Sequence, residues 1–238
     1  MEPYLDGIVI IVGAYGSGKT EVAINLAVNR KRAGYDVKVA DLDLVNPYFR
    51  TREAAALFDR WGIESVIPAK QWLQADLPIL SPAVSGLIRQ AGQLTILDAG
   101  GDDAGATVLA SLADAFAGKT VRMLQVVNPY RPTTDTIDGC LQIKAEIEAA
   151  SGIAINGLVG NANLMDETTA DDLYSGYDFV SELSHLTNLP LEFITVAQEL
   201  LPELNLNRFL TPVLPIVRQL MPPWRKAGVI KPQKPTEN

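Results

Sequence analysis

The chain is 238 residues long, enough for one α/β domain with a substantial core. Hydrophobic residues make up 47% and charged residues 20%, the balance of a soluble globular protein, and no apolar run approaches the length of a membrane span. A formal net charge of −8 argues against nucleic-acid binding over the whole surface. The single cysteine, Cys140, excludes an internal disulfide, and one thiol cannot make a zinc or iron–sulfur site alone.

The N-terminus, MEPYLDG, is acidic and leads straight into an apolar run, without the pattern of a signal peptide. A reducing cytoplasm is the expected setting. Ile8 to Val12 is a short, continuous apolar run bounded by glycine, which predicts a strand buried on both faces. Val22, Ala23, Leu26 and Ala27 then recur at helical spacing. Arg30, Lys31 and Arg32 before Gly34 form a helix stop, with cations matched to the dipole rather than to phosphates. Further strands are expected at Val37 to Ala40, Ser65 to Ile67, Leu94 to Leu97, Val121 to Val127, Ile155 to Val159 and Leu191 to Val196. Helical patterns run over Thr51 to Arg60, Ala83 to Gln90, Thr107 to Phe116 and Thr133 to Ala150. This alternation implies right-handed βαβ units and a mostly parallel sheet, with no internal repeat. Residues 1–221 form the expected body, and 222–238 a proline- and lysine-rich tail that cannot pack a core, apart from Trp224, which is expected to fold back.

Between the first strand and the first helix lies Gly13-Ala14-Tyr15-Gly16-Ser17-Gly18-Lys19-Thr20, which matches G-x-x-x-x-G-K-[ST]. Glycines let consecutive backbone N–H groups point into one concavity, and the helix dipole adds to its attraction for an anion. Lys19 would reach the β- and γ-phosphates, and the Thr20 hydroxyl a bridging magnesium. The expected nucleotide contacts are Gly13, Tyr15, Gly16, Ser17, Gly18, Lys19, Thr20 and Glu21. The second strand runs into Asp41-Leu42-Asp43-Leu44-Val45-Asn46-Pro47, and "LTILD" closes on Asp98-Ala99-Gly100-Gly101, a D-x-x-G turn. In an open parallel sheet such strand ends face the ligand. Asp98 there holds magnesium through its water shell, and the Gly101 N–H meets a γ-phosphate. Asp41 or Asp43 could instead cap the following helix, and Asp102 and Asp103 fit a solvated turn as well as a catalytic one.

Together these motifs resemble the SIMIBI class of P-loop nucleotidases, and within it the CobQ/CobB/MinD/ParA nucleotide-binding family, which includes the nitrogenase iron protein. The likeness runs over about Gly7 to Met221 and extends to "INGLVGNANL". It implies a three-layer P-loop NTPase with a mostly parallel central sheet flanked by helices. It also implies that Asp43 orients the attacking water, and that Asn161 reads adenine. The catalytic set is then Lys19, Asp43 and Asp98, and the magnesium set Thr20, Asp43 and Asp98. A dimer closed over nucleotide is the family's common triphosphate form. Two departures stand out. Ala14 occupies the position where partitioning ATPases carry a second lysine that acts across the dimer, with Arg50 or Arg52 as stand-ins. The iron–sulfur branches use paired cysteines, and here there is only Cys140.

Weaker signals read as structural: His185 near a helix end, Asn128-Pro129-Tyr130 as a strand-end turn, and 76–82 as a proline-marked connection. Val213 to Met221, apolar but carrying Pro215, is expected to pack against the sheet. The expected function is an ATP- and magnesium-dependent switch on a protein partner. The alternatives are an ATP-dependent ligase or kinase for a small molecule, and a GTPase in metal-centre assembly. Neither Asn128-Pro129-Tyr130-Arg131 nor Asn161-Ala162-Asn163-Leu164 carries the aspartate of N-K-x-D that pairs with guanine, so ATP is the expected nucleotide.

Overall fold

The computed structural model of the chain describes residues 3–42, 54–67, 82–100, 103–220, 227–228 and 230. Its strands are β1 (Gly7–Val12), β2 (Val37–Leu42), β3 (Glu64–Val66), β4 (Leu94–Ala99), β5 (Val121–Val127), β6 (Gly157–Gly160), β7 (Leu191–Ala197) and β8 (Val213–Ile216). The α-helices are α1 (Lys19–Arg32), α2 (Ala55–Trp61), α3 (Pro82–Arg89), α4 (Asp103–Ser111), α5 (Ala113–Phe116), α6 (Ile137–Ser151) and α7 (Ala170–Thr187). The eight strands form one sheet in the order β3-β2-β4-β1-β5-β6-β7-β8, and every pairing is parallel.

The chain starts in the middle of this sheet, winds outward one way through β2 and β3, then returns through β4 and builds outward the other way from β5. The order reverses around β1, which opens a crevice at its carboxyl end. Successive residues of a strand face opposite layers. Val9 and Ile11 pack with Val22, Ala23 and Leu26 of α1 and Leu57 and Phe58 of α2. Ile8, Ile10 and Val12 pack with Val84, Leu87 and Ile88 of α3, Val108 and Leu109 of α4 and Ile147 of α6. Helices therefore cover both faces, which is why β1 is apolar at every position. Val180 and Leu183 of α7 join Cys140 of α6 over Leu158 on that second face.

Several predicted boundaries shift for local reasons. The helix expected over Thr107 to Phe116 is two pieces: Ser111 Oγ donates back to the Val108 carbonyl (2.7 Å), and Ala115 N bonds Leu112 O three residues back (2.8 Å). Such i→i+3 bonds tighten and break an α-helix. The pattern from Thr133 becomes helix only at Ile137, because Thr136 caps it by accepting from Gly139 N (3.1 Å). Residues 170–187, left unassigned by the apolar pattern, form the long α7 behind a Thr169/Asp172 capping box. Val213–Ile216 does more than pack on the sheet: it is β8, paired to β7 at the edge of the described sheet, where Pro215 is tolerated. Asp43, Asn46, Arg50, Arg52, 76–81, Gly101, Asp102 and Trp224 lie outside the described residues.

Candidate functional site

β1 ends at Val12, and the loop Gly13 to Gly18 turns directly into α1. A Cβ on Gly13 would lie 2.5 Å from the Val126 carbonyl, so the loop can run against β5 only without a side chain there. Gly18 sits at φ 87°, the left-handed region, as the N-cap of α1, and no side chain among the described residues caps the helix. The first-turn N–H groups of α1 thus meet the crevice at the positive end of its dipole. Lys19 and Thr20, the first two helical residues, are both buried. They line a cleft of about 320 Å³ with Tyr15, Gly16, Gly18 and Glu21. Asn128 and Arg131 enter it from the β5 end, Asn161, Asn163 and Met165 from the β6 end, and Ile216, Arg218 and Leu220 from β8 onward. Ser17 is fully buried and Tyr15 is 73% exposed at the rim.

Asp98, the last residue but one of β4, is fully buried and in register with Ile11 on one side and Asp41 on the other. Its neighbours Ile96 and Leu94, two and four residues back, belong to the α1-side core, as do Val37 and Val39 before Asp41. The period of two therefore places both carboxylates on the face that carries the phosphate-loop helix. The D-x-D reading left Asp41 as a candidate helix cap; register shows that it sits beside Asp98 in the sheet. Gly105 of α4 lies so close to Gly100 that a Cβ would stand 2.5 Å from its Cα, which brings that helix against the turn after Asp98.

Two expected nucleotide contacts have protein partners of their own. Asn161 Nδ2 donates to the Ser17 carbonyl (2.6 Å), and its Oδ1 accepts from Thr195 Oγ1. One amide hydrogen and one lone pair are left over by these two bonds. Glu21 Oε1 accepts from Gln219 N (2.7 Å) and Asn25 Nδ2 (3.0 Å), and Oε2 from Leu220 N (3.0 Å). Burial pushes the Glu21 carboxyl up, against the pull of those donors. Asn25 adds bonds to both Val217 N (2.9 Å) and Val217 O (3.3 Å). The polar face of α1 thus holds the segment that forms one wall of the cleft, a role for Glu21 that the motif does not reveal. Across the mouth, Arg218 pairs with Asp166 (2.8 Å), next to Met165 at a left-handed φ of 63°.

The other candidates fall out as structure. His185 Nδ1 bonds the Ser181 carbonyl one turn back (2.8 Å). Asn128 is buried in a strand-end turn, its Oδ1 accepting from Tyr130 N (3.1 Å) and Asn163 N (3.3 Å). Cys140 is buried against β5 and β6, with its thiol pushed up to about 12 by burial and by Asp135. Among the described residues, no three His, Cys, Asp or Glu side chains could hold a metal together, and no helix is long and apolar enough to cross a membrane.

A central parallel sheet between two helical layers, with a glycine loop turning from the middle strand into a helix, is a three-layer α/β P-loop NTPase fold. Solved structures share that fold. The chain is similar to the cell division protein FtsY from Thermotoga maritima, at 20% identity and a TM-score of 0.53, over 82% of this chain and 63% of that one. It is similar to the signal recognition particle receptor FtsY from Elizabethkingia anophelis (19% identity, TM-score 0.51), over 83% and 61% of the two chains. It is also similar to the signal recognition particle 54 kDa protein from Aeropyrum pernix in complex with GDP (19% identity, TM-score 0.51), over 82% and 42%. The chain thus spans about three fifths of the length of the FtsY structures it matches. No protein-family model matches the chain, and no curated protein matches it.

Proposed function

We propose that the chain is an ATP-binding, magnesium-dependent P-loop nucleotidase that acts as a nucleotide-dependent switch on a protein partner. The observation that carries this reading is the uncapped N-terminus of α1, which presents Lys19 and Thr20 to a cleft large enough for a nucleotide. Lys19 would contact the β- and γ-phosphates. Thr20, Asp98 and Asp43 would serve magnesium, and Gly101 the γ-phosphate. A buried carboxylate pair, Asp41 and Asp98, on the loop-helix face suits a divalent cation. Magnesium takes one or two carboxylates and completes its shell with phosphate and water, so a three-carboxylate cage is not required. Magnesium would neutralise charge on the phosphates, while the chain's own residues hold the triphosphate and exclude water.

The choice of ATP rests on the cleft wall. Its one described carboxylate, Glu21, is already satisfied by three donors, which leaves none to pair with guanine's N1 and N2 hydrogens. Asn161 keeps a donor and an acceptor suited to adenine. GTP is the second reading, favoured by the likeness to a structure holding GDP and by Asp166 at the cleft mouth. The narrower likeness to the CobQ/CobB/MinD/ParA family rests on the sequence motifs, as does a nucleotide-dependent homodimer. Turnover awaiting an activating partner would be slow, on the order of 1 per minute or less. Calorimetry with ATP or GTP and magnesium tests the reading. ATP should bind and be displaced poorly by equal GTP, and Lys19→Ala should abolish binding. Unchanged binding to Lys19→Ala would remove the phosphate-loop assignment.

A further inference from the structure

We infer that Arg131 is a second phosphate-binding cation, supplied within the chain, that takes the place of the lysine absent at position 14. This rests on the triphosphate reading above. Ala14 is only 2% exposed, so the loop position that would carry that lysine holds a packed methyl group instead. Arg131 approaches the same loop from the β5 end. Its Nε donates to the Gly16 carbonyl (3.0 Å), and it lines the cleft together with Lys19 and Thr20.

The guanidinium is both aimed and held. Arg131 N bonds the Asn128 carbonyl (3.2 Å), Thr134 N bonds the Arg131 carbonyl (2.9 Å), and Thr134 Oγ1 closes the turn onto Asn128 O (2.7 Å). Asn128 and Thr134 are both buried, so the turn is anchored in the body of the fold. Beyond Nε, the two terminal nitrogens make no hydrogen bond and no ion pair among the described residues. A guanidinium carries five N–H donors in a planar fork suited to phosphate oxygens, and here four of them remain. A cation with no carboxylate partner among the described residues, bonded to the phosphate loop and lining the cleft, is arranged for the charge that the triphosphate brings. Because Arg131 belongs to the same chain as the loop, hydrolysis assisted by it needs no residue from a second copy.

The test compares Arg131→Ala, Arg131→Lys and Lys19→Ala with wild type. Calorimetry uses inorganic tripolyphosphate, ATP and adenosine, each with magnesium, and single-turnover hydrolysis is followed at two protein concentrations. Arg131→Ala should weaken tripolyphosphate and ATP alike by about 10- to 100-fold and leave adenosine unchanged, because a charge-assisted contact to phosphate is lost. Its hydrolysis rate should fall by about 100-fold or more and recover in part with added guanidinium. Arg131→Lys, which keeps the charge without the fork, should fall between the two. The wild-type rate should not change with protein concentration. If Arg131→Ala and Arg131→Lys bind tripolyphosphate as wild type does while Lys19→Ala loses it, the inference is overturned and the phosphate-loop reading stands. If Lys19→Ala also binds normally, that reading fails and takes the inference with it. A wild-type rate that rises with protein concentration overturns the assignment of the cation to the same chain.

Discussion

Gly18→Ala and Asn161→Ala should cost stability through one shared contact. Gly18 sits at φ 87°, ψ 15°, where an L-residue is strained by about 1–2 kcal/mol. Its added Cβ would also run into Asn161 Nδ2, deep inside van der Waals contact. Asn161 is 4% exposed and bonded to Ser17 O and Thr195 Oγ1, so yielding means giving up both bonds. Loss of buried hydrogen bonds adds about 1–3 kcal/mol. Gly18→Ala should therefore cost about 2–5 kcal/mol, below the roughly 5–15 kcal/mol of a typical domain. Asn161→Ala alone loses the same two bonds, about 1–3 kcal/mol. In the double variant that loss is counted once, so it should be no less stable than Gly18→Ala within about 0.5 kcal/mol. Urea unfolding of the four proteins measures the cycle. If the two costs add, the collision between loop and asparagine does not exist and the account of Gly18 is wrong.

Three further outcomes concern Glu21 and Asp98 near the loop and the buried Cys140. Burial raises the Glu21 carboxyl in the folded state above its ordinary 4.5, so its protonated form favours folding; that contribution is complete below the ordinary value and is lost as pH rises through the folded one. The urea midpoint of wild type relative to Glu21→Gln should fall as pH rises above 4.5, and parallel profiles would contradict the assignment. Asp98→Asn should keep magnesium-free nucleotide affinity and lose the gain from magnesium, measured by calorimetry with and without the ion; an undiminished magnesium effect would move the metal role elsewhere. Cys140, buried and with its thiol pushed up to about 12, should resist a disulfide reagent in the native state at neutral pH and react only on unfolding; fast native labelling would place it at the surface.

Much of this molecule could be read along the chain because the signals are local. The phosphate loop is eight consecutive residues, and β5 falls at Val121–Val127 as the apolar run alone predicts. Asp98 stands out in the sequence because it is the one charged residue of β4. What local pattern could not reach was set by register and long-range pairing. Asp41 and Asp98 lie far apart in sequence, and only the β2–β4 register makes them neighbours on one face. Glu21 meets Leu220 across 199 residues, and Arg131 meets Gly16 across 115. β8 was obscured because Pro215 argues against a strand until the sheet places it at an edge. Periodicity reports which face of an element is buried, whereas partners across the sheet depend on strand order. That order, with β1 at its centre and β4 and β5 on either side, brings the loop and Arg131 to one cleft and sets Asp41 and Asp98 side by side on the face of the loop helix, outside the cleft lining.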